Sequence, residues 1–221
     1  MRNYWKAYRT FADRLYRVFT LLVIPAALLV YHYVMTSFLG PINIINTSIF
    51  HMFILGGADY FTFNGITAKG YGFGMLRCSL RGKKHLRDSL YMDYILRMVY
   101  VAFINIASGA ISYYLCPQDF TMDYVMLHIT FLFATYAVVT TVLILVRNFT
   151  SFTTYAPILG VALSAFCVAI IFGVCLPFMY GHVVFWPWIV GAVLLAIAST
   201  IGTTCIILRN YHRSFQERIR S

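Results

Sequence analysis

The sequence predicts an all-α, polytopic membrane protein, with six transmembrane helices preceded by an amphipathic helix in the membrane plane. Three observations carry that expectation. Of the 221 residues, 61% are hydrophobic and only 11% are charged, against about 45–50% and about 25% in a soluble domain. Six apolar runs have lengths near the ~20 residues that cross a bilayer as a helix. All 17 Lys and Arg residues fall in the two terminal segments and in the second and fourth connections between those runs. The composition alone excludes a soluble enzyme, a secreted scaffold and a disordered tail, because a soluble globule of this size still turns roughly a third of its chain surface to water.

Residues 1–17 form the amphipathic helix. At about 100° per residue, Tyr4, Trp5, Tyr8, Phe11, Ala12, Leu15 and Tyr16 fall on one half, and Arg2, Lys6, Arg9, Asp13 and Arg17 on the other. A basic face opposed by aromatic side chains describes a helix lying among lipid headgroups. It serves either as an anchor for the first span or as a lever that passes motion into the bundle.

Residues 18–208 hold the spans: Val18–Leu39, Thr47–Ile66, Met98–Cys116, Tyr124–Val146, Ile158–Met179 and Pro187–Leu208. The first is too long for a signal-peptide core and lacks a small-residue cleavage site, so it is expected to remain as an anchor. The second contains Asp59 and Asn64. Five basic residues precede the first span, seven lie in the second connection, Arg147 lies in the fourth, and four lie in the tail, residues 209–221. The first, third and fifth connections hold none. By the positive-inside rule both termini are cytoplasmic. The net charge of +10 would suggest nucleic acid in a soluble protein; here it is an orientation signal, and no nucleic-acid partner is expected.

The second connection, residues 67–97, is the only long one. Gly70, Gly72 and Gly74 argue against regular structure at its start. Phe73, Met75, Leu76 and Leu80 suit a short apolar-faced helix flanked by Arg77 and Arg81, which Gly82 interrupts. From Lys83 onward, Leu86, Leu90 and Tyr94 recur at helical spacing and suggest a helix feeding the third span. The loop is either a topology determinant that binds anionic lipid or a docking element for a cytoplasmic partner. In the second case Tyr71, Phe73, Met75, Leu76 and Leu80 supply an apolar knob, and Arg77, Arg81, Lys83 and Lys84 supply orientation.

An ionisable residue inside a span costs a few kcal/mol on insertion scales and marks a functional site by default. Asp59 lies in the cytoplasmic half of the second span. If that span ends near Phe63, Asp59 is a turn from water and pairs with Arg14 or Arg17 at the base of the first span; otherwise it lines a path or carries a proton. His32, His51, Asn105 and His128 read as interhelical hydrogen bonders, and no spacing groups them. Ala165, Ala169 and Gly173, then Ala192 and Ala196, and Ala198 and Gly202 place small residues at four-residue spacing, which lets helices approach closely.

No cofactor or metal site is expected. The five cysteines are scattered with no C-x-x-C pair. There is no phosphate-binding G-x-x-x-x-G-K-[ST] and no H-E-x-x-H. Ser108 in Ile106-Ala107-Ser108-Gly109 has no histidine in the sixth span to activate it. The chain is therefore not expected to be an enzyme by itself.

The order of parts resembles the membrane (permease) subunit of a type-2, or type V, ABC exporter. The parts are the in-plane helix Tyr4–Arg17, six spans, a long basic loop between the second and third, and no ATP site. The stretch Asp59-Tyr60-Phe61-Thr62-Phe63-Asn64-Gly65-Ile66, followed by Lys69 and by Ser79-Leu80-Arg81-Gly82, is similar to small bacterial peptide-exporter permeases. That resemblance implies a connecting helix carrying Tyr4, Trp5, Tyr8, Phe11 and Leu15, and a coupling helix within roughly Tyr71–Leu90. It implies a second permease subunit, a separate cytoplasmic ABC ATPase that holds ATP and Mg, and a bacterial plasma membrane. The short outer connection between the fifth and sixth spans departs from lipid and polysaccharide exporters and favours a peptide or small amphiphile. Two other readings stay open from the residues alone: a stand-alone secondary transporter or channel using Asp59, and a non-transporting membrane scaffold.

Overall fold

A computed structural model describes residues 2–12, 14–68, 79–148, 152–170, 172–173 and 184–212. Among them every regular element is helical. Helix α1 (Arg2–Phe11) leads to α2 (Arg14–Val18), which passes through one π-helical turn, Phe19–Val23, into α3 (Ile24–Leu39). Gly40 ends α3 at φ 70°, a left-handed conformation that glycine adopts without cost, and Pro41 opens a 3₁₀ turn into α4 (Ile44–Ala68). Helices α5 (Gly82–Leu115), α6 (Met122–Asn148), α7 (Phe152–Ile170) and α8 (Phe185–Arg209) complete the chain.

Among the described residues, four helices are long and apolar enough to cross a membrane: Arg14–Leu39, α5, α6 and α8. Their exposure is inverted relative to a soluble protein. Val30, Phe38, Val99, Ile106, Leu194 and Ile201 are exposed, while His32, Asp59, Ser108, Thr140 and Thr203 are buried. Only a solvent as apolar as these side chains makes that arrangement favourable. The remaining expected spans are less distinct. α4 has 25 residues, about 37 Å of helix, but Asn46, Thr47, Ser48, His51 and Asp59 dilute its apolar character. The expected fifth span corresponds to α7, whose apolar part is Ala156–Ile170; the rest of that span falls on residues 171 and 174–179, outside the described ones.

The loop expected over residues 67–97 is shorter than the sequence suggested. Gly82 begins a helix: α5 runs unbroken for 34 residues from Gly82 into the third span, while the short helix expected before it falls mostly on residues outside the described ones. The expected helix after Lys83 is present as its first turns. Tyr71, Phe73, Met75, Leu76 and Arg77 lie outside the described residues.

The N-terminal helix also differs from an element whose whole apolar half meets lipid. Ala7, Tyr8 and Phe11 are buried, with α1 packed along the start of α5. Phe11 joins Leu86, Leu90, Val142, Val146 and Ile207 in one core cluster. Tyr4 and Leu15 stay exposed, and the Arg17 guanidinium sits 5.9 Å from the centre of the Trp5 ring, a cation–π contact.

The closest helix pair is α6 with α8. Ala192, Ala196, Ser199 and Thr203 line the buried side of α8; Ala196 shares a core cluster with Ala137 of α6, while Ala192 borders a cavity between α6, α7 and α8. Ser199 Oγ donates to the Ala137 carbonyl at 3.0 Å, Thr203 Oγ1 lies 3.2 Å from the Thr140 carbonyl and 2.6 Å from that of Ser199, and Thr140 and Ser199 share a further hydroxyl contact. Ala165, Ala169 and Ala198 are exposed and take no part. Replacing Ala196 with leucine is expected to overpack this seam and cost about 1–3 kcal/mol, read as a lower thermal midpoint in detergent, whereas Ala198→Leu leaves it unchanged.

Candidate functional site

The buried face of α5 is continuous from its first turn: Leu86, Leu90, Asp93, Arg97, Val101 and Ile104 follow one another at steps of three or four. This stripe carries an i, i+4 pair, Asp93 and Arg97, inside the protein. Arg97 Nε donates to Asp93 Oδ1 at 2.9 Å. Its Nη2 reaches across to α4 and donates to both carboxylate oxygens of Asp59 at 2.8 Å, and Nη1 donates to the Val139 carbonyl of α6 at 3.4 Å. From α2, Tyr16 donates its hydroxyl to Asp59 Oδ1 at 2.6 Å.

Asp59 is fully buried. At about 1.5 Å per residue, Arg97 lies about 27 Å from the far end of α5, and Asp59 about 22 Å from the far end of α4. With a hydrocarbon core near 30 Å, the cluster sits in the basic third of the bundle. One guanidinium thus ties α4, α5 and α6 together at that depth, and Asp59 extends the cluster to Tyr16 of α2.

Two of the sequence expectations are corrected here. Asp59 pairs with Arg97, not with Arg14 or Arg17. Arg97, counted among the seven basic residues of the second connection, is buried within the bundle. The physical reason is one of competition. A desolvated carboxylate gains most from a charged donor, and Arg97 projects from the neighbouring helix at the right depth to place its Nη2 against both oxygens. Both Asp59 oxygens are occupied, so the carboxylate is held as a clamp. A cavity of about 30 Å³ beside it, lined by Tyr8, Tyr16, Thr20, Asp93, Arg97 and Tyr100, is large enough for a water molecule.

Leu80, Arg81, Lys83, Lys84 and Arg87 are exposed at the start of α5. Thr10 Oγ1 lies 3.1 Å from His85 Nε2, and the Phe11 and His85 rings are 6.1 Å apart, so α1 lies against this turn. Lys6 and Arg9 are exposed on α1 and extend the same basic end. Of the residues expected to dock a partner, Leu80, Arg81, Lys83 and Lys84 are therefore presented to the outside. Of those expected on the connecting helix, Tyr4 and Leu15 are exposed, Trp5 is half-buried, and Tyr8 and Phe11 face α5.

The intramembrane histidines behave differently from one another. His32 is satisfied: Nε2 lies 3.1 Å from the Ser108 carbonyl and 3.0 Å from Ser112 Oγ, and Nδ1 lies 2.7 Å from Thr47 Oγ1. A carbonyl only accepts, so Nε2 carries the proton and Nδ1 is the acceptor. This joins α3, α4 and α5 at the end opposite the basic one, as expected of an interhelical hydrogen bonder. His128 and Asn105, which no sequence spacing grouped, line one pocket.

No family model, curated protein or solved structure matches the chain.

Proposed function

We propose that the chain is the membrane subunit of an ATP-driven exporter, with the ATPase supplied by another chain. In this reading α4 and α7 are the second and fifth of six spans. Both termini and the start of α5 face the cytoplasm of a bacterial cell, and two permease subunits enclose the path for a hydrophobic or amphipathic substrate, peptides among them. The chain itself supplies no chemistry.

The observation that supports this most is the combination of an exposed basic end with a rigid connection behind it. Leu80, Arg81, Lys83 and Lys84 stand free at the tip of α5, α1 is packed along that tip, and about four turns of helix further in Arg97 is bonded to α4, α6 and, through Asp59, to Tyr16 of α2. A push on the tip is passed to four helices instead of being absorbed by a loose loop. The same geometry speaks against a carrier role for Asp59, because Arg97 and Tyr16 between them already occupy most of the acceptor positions of its carboxylate.

A photo-crosslinking residue in place of Leu80 tests the docking face in the native host. The expected product joins this chain to one that carries a phosphate-binding loop. Cross-links to lipid alone contradict the reading and leave the basic end as a topology determinant.

A further inference from the structure

Helix α8 packs closely on α6, α7 touches α6 more lightly, and among the described residues α7 and α8 scarcely touch each other. Between them opens a crevice of about 390 Å³. Thr130 and Ala134 of α6 stand at its back, Phe166 and Ala169 of α7 on one wall, and Gly191 and Leu195 of α8 on the other. It lies in the half of the bundle away from the basic end. Ala169, Gly191 and Leu195 are exposed, whereas Ala134 and Phe166 are half-buried, so the crevice opens on the lipid-facing side and reaches inward to α6.

Small residues keep it open. A Cβ added at Gly191 would meet nothing within 4 Å, and Ala134, Ala169 and Ala192 bring only methyl groups to the lining. Trp188 bounds the crevice near the start of α8. Its ring lies directly against Gly173, where any Cβ would collide with it. A tryptophan near the end of a span marks the headgroup level. From Pro187 to Leu195, α8 rises about 12 Å, most of the roughly 15 Å of hydrocarbon in one leaflet.

What fills the space follows by elimination. Thr130 supplies the one hydroxyl of the lining, and it already donates to the Met126 carbonyl at 2.9 Å. No charged side chain lines the crevice among the described residues. A trapped water needs several polar partners and would find almost none. Leaving the space empty forfeits the dispersion contacts of every wall atom, and its volume is more than twice the ~150 Å³ of an apolar cavity that takes up benzene. Val190, Leu194 and Ile197 stand exposed beside it on α8, so the medium at its mouth is the bilayer interior. Hydrocarbon is the one phase that both reaches the crevice and matches its walls.

We propose that this crevice binds an acyl chain of a bilayer lipid, entering from the leaflet opposite the basic end. The ester end of the chain lies level with Trp188, and its methylenes run past Gly191 toward Leu195. The site rests on the packing of α6, α7 and α8 and not on the exporter reading.

The test uses the full-length protein in nanodiscs of a phosphatidylcholine that carries a photoactivatable diazirine midway along one acyl chain, with adducts mapped by peptide mass spectrometry. Phe103 and Ile106, exposed on α5 at comparable depth, report labelling by bulk lipid. The expected result is adducts on Ala134 and Phe166 at least threefold denser than on Phe103 and Ile106, although the first pair is the less exposed. Gly191→Leu fills the crevice and is expected to lower the Ala134 and Phe166 adducts at least fivefold, leaving Phe103 and Ile106 as they were. Ala198→Leu, on the exposed side of α8, changes neither. Adducts no denser in the crevice than on α5 overturn the proposal. Normal labelling of α5 with none in the crevice also overturns it, and identifies the occupant as protein, from this chain or a second copy. Because the contrast is read on the wild type, it decides the matter even if Gly191→Leu fails to fold.

Discussion

Replacing Arg97 with alanine is expected to destabilise the bundle by about 3–5 kcal/mol, the usual cost of removing one partner from a buried ion pair. The variant leaves Asp59 and Asp93 facing one another in a desolvated site with no cation between them. Gel filtration after heating in detergent should show the monodisperse peak lost at least about 10 °C below the wild type. Arg97→Lys recovers only part of this, because a single ammonium cannot hold Asp59, Asp93 and the Val139 carbonyl at once as the three guanidinium nitrogens do. Asp59→Asn costs less than Arg97→Ala, since Arg97 keeps Asp93 and Tyr16 keeps an acceptor. A triple variant, Asp59→Asn, Asp93→Asn and Arg97→Met, regains most of the lost stability, because a fully neutral site carries no desolvated charge. An Arg97→Ala protein as stable as the wild type would show that the cluster is not the clamp its geometry describes.

The cluster also shows where the sequence stopped being readable. The membrane character and the long helices α5, α6 and α8 follow from averaged hydropathy, and the structure contains them. A hydropathy window averages around the whole helix, so it set the start of the third span at Met98 and left Arg97 outside. The burial of α5 begins sixteen residues earlier, at Gly82, on one face only. Continuing the Leu86–Leu90 stripe by steps of three and four reaches Asp93, Arg97 and Val101, so the signal was present in the spacing.

Which cation meets Asp59 was not readable in the same way, because the pairing joins two helices whose relative depth no local pattern records. The same holds for His128 and Asn105, 23 positions apart in sequence and brought together only by the packing of α5 on α6. The apolar side of α1 is a different case. Tyr8 and Phe11 on one face are what a helix needs to lie on lipid or on protein, and the neighbouring turn of α5 decides between them.

Neutralising Arg81, Lys83 and Lys84 together by glutamine is the second large expected effect, on association rather than on stability. These side chains are exposed, so the folded protein and its thermal midpoint should be unchanged. A complementary acidic partner surface loses both its steering and its register when such a face is neutralised. At least a tenfold drop in co-purified ATPase is expected, with no change in membrane insertion. Unaltered ATPase recovery would move the docking face elsewhere, and inverted topology would identify the three residues as orientation signals only.

The most direct measurement is purification of the tagged chain from its native membranes in mild detergent, with quantitative mass spectrometry of everything that remains bound. A separate chain carrying a phosphate-binding loop, recovered in fixed stoichiometry with this one, is the predicted result. A monodisperse preparation with no such chain would contradict the exporter reading.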